Sequence, residues 1–500
     1  MNTLTAADTL TVGGSGFAVR RWGLWAAFAA LLVVMLLPQP AGLPVAGQYM
    51  LGILLFAVIL WTTEAVDYAV SAVIIAALMA FLLGMAPDVA KPAQVLGTSG
   101  ALTLALSGFA NTALALVAAA LFIAAAMTVT GLDQRIALWI LSKVGASTRR
   151  VVIGGILVGF VLAFFVPSAT ARFACVAPII LGIILTFGAD KKSRFAGLLM
   201  ITAAQTVSIW NVGIKTAAAQ NMVALGFIDK ILKGSITWLE WFTAAAPFSI
   251  GMSIALYFIM TRMMPPETAD LPGGKEAIRK ALADLGPMKG SEMKLMVISL
   301  ALLALWSTEK VLHPFDTSST TVAAIALMFI PVIGIMDWKQ VQNRIPWGTV
   351  ILFGIGISLG TALLQTKAAG WLANLIVIHL GLQSMPAFGI LAVMSAFLIV
   401  VHLGFASATA LASAMIPIVI SVLQQVQTPG INVIGMTMLL QFVVSFGFIL
   451  PVNAPQNMVA YGTDTFAARD FVRTGIVITV VGYLMVLLLG ATYWSWLGYV

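Results

Sequence analysis

Gln220-Asn221-Met222-Val223-Ala224 recurs letter for letter as Gln456-Asn457-Met458-Val459-Ala460, and each copy follows a short polar break in an apolar run. The repetition reads as a duplicated chain. Ser168-Ala169-Thr170-Ala171 pairs in the same way with Ser407-Ala408-Thr409-Ala410, and Leu60-Trp61-Thr62-Thr63-Glu64 with Leu305-Trp306-Ser307-Thr308-Glu309. The three pairs keep their order and nearly the same offset, which chance does not readily deliver. Units of about 240 residues are too long for solenoid repeats and suit the paired halves of a secondary transporter.

Composition agrees. Of 500 residues, 61% are hydrophobic and 9% charged, whereas a soluble domain carries roughly a quarter charged residues. The chain reads as an all-α polytopic membrane protein. Its formal charge of +8 matters for where the charges fall rather than for their sum, and no nucleic-acid signature accompanies it. Cys175 is the only cysteine, which excludes internal disulfides and cysteine-based metal sites. With His313, His379 and His402 scattered, a metal enzyme is not expected.

The apolar runs set the organisation. Residues 1–21 read as a cytoplasmic N-terminus, 22–261 as the first repeat, 262–294 as a cytoplasmic linker with an amphipathic piece near 275–285, and 295–500 as the second repeat. Two runs, 151–187 and 385–422, are about 37 residues long, close to twice the ~20 needed for one crossing. Each is cut at its middle by Ser-Ala-Thr, which predicts two half-helices and a re-entrant hairpin. Basic clusters flank the first run on both sides, Lys143, Arg149 and Arg150 before it and Lys191, Lys192 and Arg194 after it. Both of its ends are therefore placed inside, while the second run, without a basic flank, is placed to enter from outside. The topology is about eleven spans plus two hairpins, with 103–142 and 347–380 each taken as one span, and with broken helices over 195–226 and 431–462.

Backbone broken at membrane depth is tolerated only where protein or a watery cavity satisfies its polar groups. The candidate site therefore lies at four breaks: the two Ser-Ala-Thr tips, Gly213-Ile214-Lys215-Thr216, and Pro451-Val452-Asn453-Ala454-Pro455. At each tip the serine opens a half-helix, where its hydroxyl can cap backbone N–H groups. Helix N-termini carry partial positive charge and free donors, so two of them facing each other suit the two ends of a dianion. The bland alternative is that Ser and Thr cap bent helices. Asn221 and Asn457 either orient the loops or line cation-like sites. His402 reads as a packed side chain or, alternatively, a proton sensor.

Trp61-Thr62-Thr63-Glu64-Ala65, Thr130-Gly131-Leu132, Ile345-Pro346-Trp347-Gly348 with Leu352-Phe353-Gly354, and Leu450-Pro451-Val452 with Pro455-Gln456-Asn457 and Gly462 together resemble the divalent anion/sodium symporter family, carriers of di- and tricarboxylates and sulfate. The resemblance implies an inverted-repeat, elevator-type transporter, a homodimer in the inner membrane, no enzyme activity, and no cofactor other than sodium. By resemblance Ser168, Ala169 and Thr170 with Ser407, Ala408 and Thr409 contact substrate. The family carries Asn where this chain has Ala169 and Ala408, so two amide donors are missing. Arg172 and Lys215, with Asn221, Asn453 and Asn457, are the cation-site or charge-substituting set. An Arg or Lys at mid-bilayer costs roughly 2.5–3.5 kcal/mol on insertion scales, and a fixed positive charge where relatives bind sodium would make the chain a sodium-independent exchanger of di- or tricarboxylates. The alternatives are a sodium-coupled dicarboxylate or sulfate symporter, with Arg172 capping carbonyls and Lys215 snorkelling to an interface or filling a gap.

Overall fold

The computed structural model describes residues 15–144, 147–186, 189–267, 274–331 and 333–500. Residues 1–14 of the expected N-terminus and 268–273 of the expected linker lie outside the described residues. Among the described residues all regular structure is helical, and nine helices are long and apolar enough to cross a membrane. Shorter apolar helices, including Tyr68–Leu83 and Thr317–Phe329, accompany them.

The duplication is visible in backbone geometry. Thr148–Phe165 and Ala169–Thr186 form the first hairpin, and Ala387–His402 and Ala408–Gln425 the second. Pro178 and Pro417 sit inside the two second half-helices. Arg194–Gly213 and Ala219–Leu232 form the first broken helix, and Val433–Val444 and Pro455–Tyr461 the second. Each break is built alike, as an extended residue, one 3-10 turn and another extended residue. Ile214, the turn Lys215–Ala217 and Ala218 (φ −148°, ψ 142°) make the first. Leu450, the turn Pro451–Asn453 and Ala454 (φ −152°, ψ 140°) make the second.

Two expected single spans are subdivided. Residues 103–142 fall on three helices, Thr98–Leu106, Thr112–Thr130 and Leu132–Val144, because Asn111 caps the second by accepting from Ala113 N at 2.8 Å and Gly131 (φ 79°) turns the chain after it. Residues 347–380 divide at Lys367 (φ 63°) into Trp347–Gln365 and Ala368–His379. A left-handed residue ends a helix without a long loop, so hydropathy alone runs through it. The short helices Leu132–Val144 and Ala368–His379 pack on the hairpin of their own repeat and act as arms beside it.

Burial ranks the elements. Helix Arg194–Gly213 is enclosed from Phe195 to its end, and Ala408–Gln425 over most of its length, whereas Gly290–Ser307 is mainly outward-facing. Helix Trp347–Gln365 approaches the second hairpin through glycines, and a Cβ on Gly356 would collide with Ser413. The broken helices and hairpin second halves thus form the centre of the molecule.

Candidate functional site

Both hairpin tips open onto one cavity of about 510 Å³ between the two broken helices. Ser168 Oγ accepts from Ala171 N, and Ser407 Oγ from Ala410 N, both at 3.3 Å. Each serine therefore caps its second half-helix, leaving other first-turn N–H groups without an intrahelical acceptor. Ser168, Ala169 and Thr170 and their copies Ser407, Ala408 and Thr409 all line the cavity. The two alanines present methyl groups there, so the middle residue of each tip widens the space and offers no side-chain donor. Tyr68 also lines the cavity.

The duplicated glutamines, which the sequence reading passed over in favour of their asparagine neighbours, also line the cavity. Their hydrogen bonds cross between repeats: Gln220 Nε2 donates to Ser445 Oγ at 3.3 Å, and Gln456 Nε2 to Ser208 Oγ at 2.9 Å. The swap ties each broken helix to the first half of the other. Their signal in the sequence was the opening letter of the repeated pentapeptide.

Asn221 and Asn457 lie behind the wall, fully buried, and close their own breaks. Asn221 Nδ2 donates to Asn211 O at 2.7 Å, and Asn457 Nδ2 to Gly447 O at 2.7 Å. Asn453 Nδ2 donates to His402 O at 3.0 Å and Phe405 O at 2.8 Å, holding the second break against the second tip. His402 is buried, its Nε2 3.4 Å from Asn453 O.

The two cations part company. Arg172 is 0% exposed and joins the first tip to the first broken helix, donating through Nη2 to Asn211 Oδ1 and, at 3.3 Å, to Ala217 O. Its Nε and Nη1 are buried without a hydrogen-bond partner, and no carboxylate pairs with it among the described residues. Asn211 lines the cavity, so the guanidinium stands one residue behind the wall as an uncompensated positive charge. Lys215 instead turns away from the cavity. Its Nζ donates to Ile236 O at 2.8 Å and Thr317 Oγ1 at 3.4 Å and stands 4.0 Å from Glu309. Glu309 in turn accepts from Thr317 Oγ1 at 2.7 Å, while Glu64, its copy in the first repeat, is exposed.

Arg344, just before Ile345-Pro346-Trp347, is exposed and is the one charged side chain lining the cavity among the described residues. The sequence reading missed it because Arg344 sits in a polar stretch between apolar runs, where Lys and Arg are commonplace.

Sodium in broken-helix carriers is held by unwound backbone carbonyls. Here a guanidinium already contacts Ala217 O at the first break, where a sodium ion would meet a like charge, and at the second the Asn453 amide fills the place between the tip carbonyls. As arranged, the first break does not fit sodium, whereas at the second Asn457 Oδ1 is buried without a hydrogen-bond partner and is free to accept. No group of three or more His, Cys, Asp or Glu stands ready for a metal among the described residues.

A family model described as the sodium:sulfate symporter transmembrane region matches residues 18–500. A membrane protein of Cupriavidus necator is 59% identical over 96% of this chain and 93% of its own length. The sodium-dependent dicarboxylate transporter SdcS of Staphylococcus saprophyticus is 25% identical over 91% of this chain and 88% of its own. A citrate/succinate antiporter of Escherichia coli is 26% identical over 94% and 97% respectively.

Proposed function

The chain belongs to the sodium:sulfate symporter family, and from that premise we propose that it exchanges divalent organic anions such as succinate, malate or citrate across the membrane without sodium. It is a multi-pass membrane carrier and not an enzyme. The observation that carries the reading is Arg172, a buried cation without a counter-charge directly behind the cavity at which both capped tips meet.

A dianion would lie between the tips, one carboxylate at each half-helix N-terminus, each terminus worth about 0.3–1 kcal/mol and up to ~2 kcal/mol when partly buried. Arg172 would supply the charge that an ion supplies in a sodium-coupled carrier. With that charge fixed to the protein, the empty carrier keeps an unneutralised cation at its centre, which disfavours return without an anion. Obligatory exchange follows. The space widened at Ala169 and Ala408, in a cavity of about 510 Å³, favours organic anions over the smaller sulfate, which would need a tighter pocket. Alternating access by an elevator motion of the hairpins and broken helices, a homodimer, an inner-membrane location and a cytoplasmic N-terminus belong to the same proposal.

The second reading, a sodium-coupled dicarboxylate or sulfate symporter, draws on the description of the matching family and on the name of one relative. Labelled succinate uptake into proteoliposomes, with citrate, tartrate and sulfate as competitors, tests the substrate. Inhibition by the carboxylates but not by sulfate supports the reading, and competition by sulfate alone refutes it.

A further inference from the structure

A second cavity of about 440 Å³ lies beneath the linker helix Gly274–Asp284. Asp133 of the first arm helix, Cys175 and Pro178 of the first hairpin, and Ile278 and Ala281 of the linker helix line it. Thr128 and Ala174 line both this cavity and the central one. On half-helix 169–186, Ala171 faces the central cavity, Ala174 faces both, and Cys175, Pro178 and Gly182 face the second. Steps of three and four residues keep to one helical face, so a single face leads from the tip to the linker helix, about 16 Å along the axis at 1.5 Å per residue.

We propose that this second cavity is the passage between the central cavity and one face of the membrane, and that the linker helix is its gate, latched by Arg135. The proposal rests on the carrier reading but not on which anion is carried. Ile278 is the gate's well-buried residue, at 3% exposure, while Arg279, Lys280 and Asp284 are exposed. A helix of this length is marginal by itself, so its position depends on what holds its ends.

Arg135, on the first arm helix, provides that hold. Its Nη1 donates to Gly286 O at 3.0 Å, and its Nη2 to Leu285 O and Pro287 O at 3.4 Å each. Its Nε donates to Glu292 Oε2 at 3.1 Å, and Glu292 accepts from Lys289 N at 2.8 Å. A planar guanidinium with five donors suits several acceptors at once, and carbonyls after a helix C-terminus favour a cation. The latch thus fixes the end of the gate to the same arm that borders the passage. Release of Arg135 frees the linker helix while leaving the spans in place.

Cys175 is the chain's only cysteine and lies inside the passage, so its labelling by a bulky, membrane-impermeant maleimide in detergent reads the gate directly. Arg135→Gln and Glu292→Gln should each speed labelling roughly ten- to hundredfold, the weight of hydrogen bonds to a charged group, and Arg135→Lys should lie between. In a second arm, Ala281→Cys tethered to Cys175 by a short reducible bis-thiosulfonate should stop succinate exchange, and a reductant should restore it. Labelling indifferent to both substitutions, or full exchange by the tethered protein, overturns the proposal. If succinate is not carried at all, the labelling arm decides alone, since it needs no substrate.

Discussion

Arg172→Gln removes the buried charge while leaving an amide donor for Asn211 and Ala217, which Arg172 now contacts. The guanidinium stands one residue behind the cavity wall, so a bound carboxylate would lie about 8 Å from it, and at an effective dielectric of about 20 such a pair interacts by roughly 2 kcal/mol. With the farther carboxylate adding about half as much, the dianion loses ~3 kcal/mol, or on the order of a hundredfold in affinity. The assay is succinate counterflow in proteoliposomes, with KM and maximal rate taken separately and folding checked by size-exclusion chromatography. Arg172→Lys, which keeps the charge but not the planar donor set, should recover part of the loss. A monodisperse Arg172→Gln protein with KM within about threefold of the parent would refute the reasoning, because at these distances no smaller effect is compatible with a charge acting on the site.

Arg344→Gln should raise KM for dianions while leaving the maximal rate nearly unchanged, and the difference should shrink as ionic strength rises, since an exposed cation acts through a screened field. Glu309→Gln leaves the buried Lys215 ammonium without its counter-charge and should destabilise the protein by about 3 kcal/mol, read as a lower melting temperature that Lys215→Met in the same chain largely restores. Gln220→Ala and Gln456→Ala should each cost about 1 kcal/mol, the weight of a neutral hydrogen bond, and slow exchange. A double variant no worse than either single one would show that the two cross-repeat bonds do not act independently.

Much of the arrangement was legible in the sequence because duplication repeats chemistry as well as letters. Two copies of Gln-Asn-Met-Val-Ala marked both broken helices, and two copies of Ser-Ala-Thr placed the serines at the half-helix caps they occupy. What the sequence hid was of two physical kinds. Breaks made by a single left-handed residue, Gly131 or Lys367, cost no hydrophobicity, so the arm helices merged with the spans before them. Partners distant in sequence could not be read at all. Lys215 looked like a site cation until Glu309 and Thr317 stood beside it, and Arg344 looked like a loop residue until the fold placed it at the cavity.

The most direct test of the central claim is labelled succinate uptake into proteoliposomes, measured with and without an inward sodium gradient and with and without unlabelled succinate inside. A carrier whose charge is fixed in Arg172 should take up label only into anion-loaded vesicles and at the same rate in sodium or potassium. Uptake into empty vesicles driven by the sodium gradient would contradict the account and leave Arg172 a structural tie between the first tip and the first broken helix.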